Sequence, residues 1–66
     1  MEITLNGEAK TLSPGSTVAD LIKDLGLTGK RLAVEVNLAI VPRSRHEAHQ
    51  FEAGDKVEVV HAIGGG

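Results

Sequence analysis

The residues best placed to do chemistry are three consecutive glycines, Gly64, Gly65 and Gly66, at the end of the sequence. Glycine has no Cβ, so a stem built from it can thread a narrow slot and approach another protein's active site closely. A glycine carboxylate presented this way is a poor electrophile until one oxygen becomes a leaving group. The chemistry it suggests is therefore activation by a separate enzyme. A linker remnant is the competing reading, but flexible linkers usually mix glycine with serine. Here the glycines follow directly on the apolar run Val57 to His61 and the pair Ala62-Ile63, with no serine among them.

Other constellations carry less. His46-Glu47-Ala48-His49 has the flavour of a zinc-protease box, yet the helical metal pair needs histidines four apart, and Gln50 occupies that place. No metal site is expected. The glycine run cannot be a phosphate loop, because such loops open into a helix. No serine can be paired with a base from sequence, and there is no cysteine, which removes disulfides and thiolate metal sites. No catalytic residue is assigned. Arg43 and Arg45 flank Ser44 and are either solubilising charges or a dock for an acidic partner. Val60 alternates away from Val57 and Val59, so an apolar side chain is expected on the surface near the glycines, where it would mark an interface with Ala62 and Ile63.

A chain of 66 residues makes one small domain, which buries only about 60% of its unfolded surface. Phe51 is its one aromatic residue, so the core must be aliphatic. Seven basic against nine acidic residues give a net charge of −2 and no electrostatic case for nucleic acid. The first residues lack a signal-peptide pattern and no apolar stretch is long enough to span a bilayer, so a soluble cytoplasmic protein is expected.

The elements that must position these residues follow from local pattern. Glu2 to Leu5 alternates as a strand, Asn6-Gly7 marks a tight hairpin, and Glu8 to Leu12 returns as the second strand. Ser13-Pro14-Gly15-Ser16 breaks the sheet, and Thr17 with Asp20 forms a helix-capping pair. Val18, Leu21, Ile22 and Leu25 fall on one helical stripe, with Gly26 just past its end. Leu32, Val34 and Val36 alternate as a third strand. Ile40-Val41 is a short extended piece stopped by Pro42, Ser44 to His49 a loop or helical turn, and Lys56 to His61 the last strand. The order predicts an α+β fold, a mixed sheet of four or five strands over one helix. If the last strand lies beside the first, the topology is a β-grasp with domain 1–61 and a flexible tail 62–66.

That order, together with the Pro14-Gly15-Ser16-Thr17-Val18 turn, Asn37 ahead of Val41-Pro42-Arg43, Gly54-Asp55 and the terminal Gly65-Gly66, resembles the ubiquitin-like sulfur carriers, the ThiS/MoaD-like family, over the whole chain. Gly64 is an extra residue in the tip. The match at Val41-Pro42-Arg43 points to the carriers that serve thiamine thiazole synthesis. The resemblance implies a protein reagent, not an enzyme. A ubiquitin-activator-like adenylyltransferase would use ATP to adenylate Gly66, and sulfur from a cysteine desulfurase or another donor would leave a thiocarboxylate for thiazole synthase. The chain itself would bind no cofactor. Gly64 and Gly65 would give access, and Val60, Ala62, Ile63 and Arg43 are candidate docking residues. A carrier for molybdopterin synthesis, a ubiquitin-like modifier and a plain interaction module remain as alternatives.

Overall fold

The computed structural model describes residues 1–61, and the expected tail 62–66 lies outside the described residues. The first hairpin pairs β1 (Glu2–Leu5) with β2 (Glu8–Thr11) antiparallel, closing on Asn6 and Gly7 at φ 50° and 85°. Two successive positive φ angles give the turn the twist that antiparallel strands require, which asparagine and glycine tolerate best. The second strand is one residue shorter than its pattern suggested. Leu12 turns into the core instead, with its N–H donating to the Met1 carbonyl at 2.7 Å.

Helix α1 covers Val18–Asp24. Its capping box is complete: the Thr17 side chain accepts from the Asp20 N–H, and the Thr17 N–H donates to Asp20 Oδ2 at 3.0 Å. The next segments finish the cap from a distance, since the Val18 and Ala19 N–H groups donate to the carbonyls of His49 and His46. A helix of under two turns is marginal alone. Here Val18, Leu21 and Ile22 are buried against the sheet, so packing holds it.

β3 (Leu32–Val36) turns through Asn37 and Leu38 into β4 (Ala39–Ile40), and a 3₁₀ turn at Arg43–Arg45 leads towards β5 (Lys56–His61). Val41 lies outside β4, but its N–H still donates to the Val34 carbonyl at 2.8 Å before its side chain dives into the core. The five strands run β2-β1-β5-β3-β4, with β5 parallel to β1 and antiparallel to β3. This is the β-grasp order, with the last strand in the middle. One face of the sheet, through Ile3, Val34, Val36 and Val57, closes on α1 and Phe51. The opposite face carries no covering layer among the described residues.

Candidate functional site

β5 is the strand that leads to residues 62–66, and its two ends are held by two asparagines in left-handed turns. At its start, Asn37 (φ 53°) accepts from the Lys56 N–H at 2.9 Å, and its amide donates to Asp55 Oδ1 at 3.0 Å. Towards its end, Asn6 accepts from the Val59 N–H at 2.9 Å and donates to the Val59 carbonyl at 3.3 Å. The main-chain ladder between β1 and β5 covers only Thr4 with Lys56 and Leu5 with Val57. Asn6 therefore acts as one further strand residue, its side-chain amide standing in for a peptide group. On the other side β3 pairs with β5 as far as Leu32 opposite His61. The base from which residue 62 departs is thus fixed on both sides through Val59, and on one side beyond it.

Strand alternation then decides what surrounds that base. Val57 and Val59 pair with Val36 and Val34 on the helix side, whereas Val60 pairs with Ala33 on the open face. Val60 is 55% exposed there, as expected. Ile40, 68% exposed, sits on the same face opposite Glu35, and Leu38 at the hairpin tip is 78% exposed. Glu35 also lies directly opposite Glu58. Like charges across an antiparallel pair are unfavourable by a few tenths of a kcal/mol. The open face is accordingly apolar and acidic.

Of the residues singled out in the sequence, Gly64, Gly65, Gly66, Ala62 and Ile63 lie outside the described residues. Val60 and Arg43 are not brought together. Arg43 starts the 3₁₀ turn and lines a cleft beside α1, on the helix side of the sheet. His46 and His49 serve the fold: His46 Nε2–H donates to the Val41 carbonyl at 3.0 Å, and His49 meets Phe51 edge-on at 6.1 Å. No cluster of metal-ligating side chains occurs among the described residues. The carboxyl of Asp20 is held below the ordinary aspartate value of 3.8, chiefly by the hydrogen bond from the Thr17 backbone and then by the Thr17 side chain. That is a structural shift at a helix cap, not a catalytic one.

Sequence reasoning missed Asn6, Leu38 and Ile40 as contributors. Asn6 read only as a turn residue, because its bonds to Val59 span 53 positions. Leu38 adopts φ 72°, a left-handed conformation that a leucine rarely takes, and nothing in its residue type signals it. No described helix is long and apolar enough to cross a membrane.

The profile of the ThiS family matches residues 3–66. The chain is similar along its whole length to the thiazole synthase of Paramagnetospirillum magneticum, at 42% identity, and it spans only 20% of that protein. It is 32% identical to the sulfur carrier protein ThiS of Escherichia coli, with both chains covered completely. Among solved structures, the crystal structure of a thiamine biosynthesis protein (ThiS) from Geobacter metallireducens superposes with a TM-score of 0.85 at 29% identity over all of both chains.

Proposed function

The chain belongs to the ThiS family, and from that premise we propose that it is a sulfur carrier of thiamine biosynthesis, a protein reagent on which other enzymes act. The carboxylate of Gly66 attacks the α-phosphorus of ATP in the active site of a ubiquitin-activator-like adenylyltransferase, releasing pyrophosphate and leaving an acyl-adenylate. A sulfur nucleophile, supplied by a cysteine desulfurase or another donor, then adds to the acyl carbon and expels AMP. Where that nucleophile is a persulfide, the product is an acyl disulfide. A second thiol on the sulfur-delivering enzymes then attacks the donor's sulfur, breaks the S–S bond and ends as a disulfide with the donor. This releases the thiocarboxylate, which passes to thiazole synthase. Gly64 and Gly65 let the acyl-adenylate reach a dry site, where water cannot compete with sulfur.

The observation that carries this reading is full-length similarity to the Escherichia coli carrier, together with a strand β5 braced on both sides and leading to residues 62–66. Similarity to about a fifth of two thiazole synthases, from Paramagnetospirillum magneticum and Magnetococcus marinus, supports delivery to that enzyme.

The test is mass spectrometry of the C-terminal peptide after incubation with ATP, the host's adenylating enzyme and a sulfur donor. Exchange of one oxygen for sulfur on the peptide ending at Gly66, absent when Gly66 is deleted, is the expected result. Peptide mass is needed because oxidation of Met1 adds almost the same mass to the intact chain. A peptide that stays unmodified while an authentic carrier is converted alongside it would sink the reading.

A further inference from the structure

A cleft of about 450 Å³ opens between α1, the segment after it and the 3₁₀ turn. Its floor is apolar, formed by Ala19, Ile22, Leu27 and Leu32. Its rim is cationic. In a chain of net charge −2 with seven Lys and Arg residues, three of them (Lys30, Arg31 and Arg43) line this one cleft, against a single carboxylate, Glu47. Lys30 and Arg43 are exposed and make no ion pair among the described residues. His46 completes the rim with one ring nitrogen committed to the Val41 carbonyl. The cleft lies beside the described end of β5, because Leu32 on its floor pairs with His61, the last described residue.

We propose that this cleft is a docking site for an acidic segment with an aliphatic anchor, carried by the enzyme that acts on residues 62–66. Two features of the cleft set the chemistry of the occupant. Its volume falls in the range of sites that enclose a substantial ligand, far more than one oxyanion fills. Its floor offers hydrophobic contact that a free phosphate cannot use. An aliphatic side chain on the floor with carboxylates against Lys30 and Arg43 satisfies both. The open face of the sheet has the reverse sign at Glu35 and Glu58, so the two surfaces select different segments. Assigning the occupant to the tail-handling enzyme rests on the sulfur-carrier reading; the charge and shape of the cleft do not.

Nuclear magnetic resonance on the ¹⁵N-labelled full chain tests the chemistry. The probes are a blocked pentapeptide alternating glutamate and leucine, the same peptide with lysine for glutamate, and sodium phosphate. The acidic peptide should shift the amides of residues 28–32 and 43–47, with an affinity falling several-fold between about 20 and 200 mM salt. Lys30→Glu with Arg43→Glu should abolish those shifts while leaving the remaining spectrum in place. Equal shifts from the lysine peptide, shifts centred on Glu35 and Glu58, or the same pattern from phosphate alone would overturn the proposal. Pyrophosphate exchange by the host's adenylating enzyme then tests the partner. The double reversal should raise the KM for this chain about tenfold, as expected for losing two exposed charge contacts. Deleting Gly66 should abolish turnover. An unchanged KM with Gly66 still required overturns the assignment to that enzyme. Turnover without Gly66 overturns the sulfur-carrier reading instead and leaves the peptide result standing.

Discussion

The two ends of β5 are built differently. Its start lies inside the core: Val57 is 0% exposed, pairs with β1 on one side and β3 on the other, and follows directly on the Asn37 clamp at Lys56. Its end keeps β3 as a neighbour but exchanges β1 for a single side chain, Asn6, and turns Val60 outwards. The first end carries stability, and the second leads on to residue 62. The proposed carrier function calls for such a division, because the group to be activated must reach another enzyme while the domain stays folded.

The largest effect should come from a cut at the outer end. Deleting Gly66, or replacing Gly65 with leucine, should eliminate thiocarboxylate formation as read by peptide mass, while the thermal midpoint shifts by less than about 1 °C because no residue of the described core is changed. Val57→Ala is the mirror-image change. It removes two methyl groups from a fully buried position and should destabilise the domain by about 2 kcal/mol in urea unfolding. Any variant that remains folded should still be a substrate. If Gly66 deletion lowered the midpoint as far as Val57→Ala does, the division of labour would be wrong.

The sequence reveals the inner end better than the outer one, for a physical reason. Turn and cap chemistry acts over a few residues, so Asn6-Gly7, the Thr17–Asp20 capping box and Gly26 after α1 at φ 73° could be read from residue type alone. Strand alternation placed Val57 inward and Val60 outward for the same reason. What local pattern cannot carry is contact between distant segments. The Asn6–Val59 clamp joins the first turn to the last strand, and the basic cleft assembles α1, the Thr28–Leu32 segment and the 3₁₀ turn. The sequence offered Arg43 as a partner contact but gave no means of setting it beside Lys30. It also placed Val41 in an edge strand, whereas the inward turn before Pro42 buries it.

Smaller changes sharpen the contrast at the two clamps. Asn37→Gly and Asn6→Gly each keep a residue that accepts positive φ, so they remove the side-chain hydrogen bonds without adding backbone strain. Each should lower stability by about 1 kcal/mol, the net worth of one or two such bonds. Their local signatures should differ. Asn37→Gly should speed hydrogen exchange at Lys56, and Asn6→Gly at Val59, whose N–H loses its acceptor. The Asn6 variant should also slow sulfur loading several-fold, since Val59 is then held by β3 alone. Equal loading by the two variants would show that Asn6 does not aim the chain's end.

The smallest effect belongs to a site remote from both ends, and it provides the baseline for the others. Asp20 is held below its ordinary value by the Thr17 backbone and side chain, so the folded state favours its charged form. A depressed carboxyl contributes stability that is fully present above its unfolded value of about 3.8 and is lost as pH falls through the lowered folded value. Asp20→Asn, which retains an oxygen for the Thr17 N–H but no charge, should therefore be slightly less stable than the parent at pH 6. The gap should be smaller at about pH 3, below the unfolded value, because stability from the charged carboxyl is lost as pH falls towards the lowered folded value. Urea midpoints at the two pH values measure this directly. Hydrogen exchange at Val59 relative to Lys56 should keep the same ratio in parent and variant, because the cap lies under the helix and not beside β5. A changed ratio would mean that α1 couples to the outer end of the strand, and the two ends could then no longer be treated as separate.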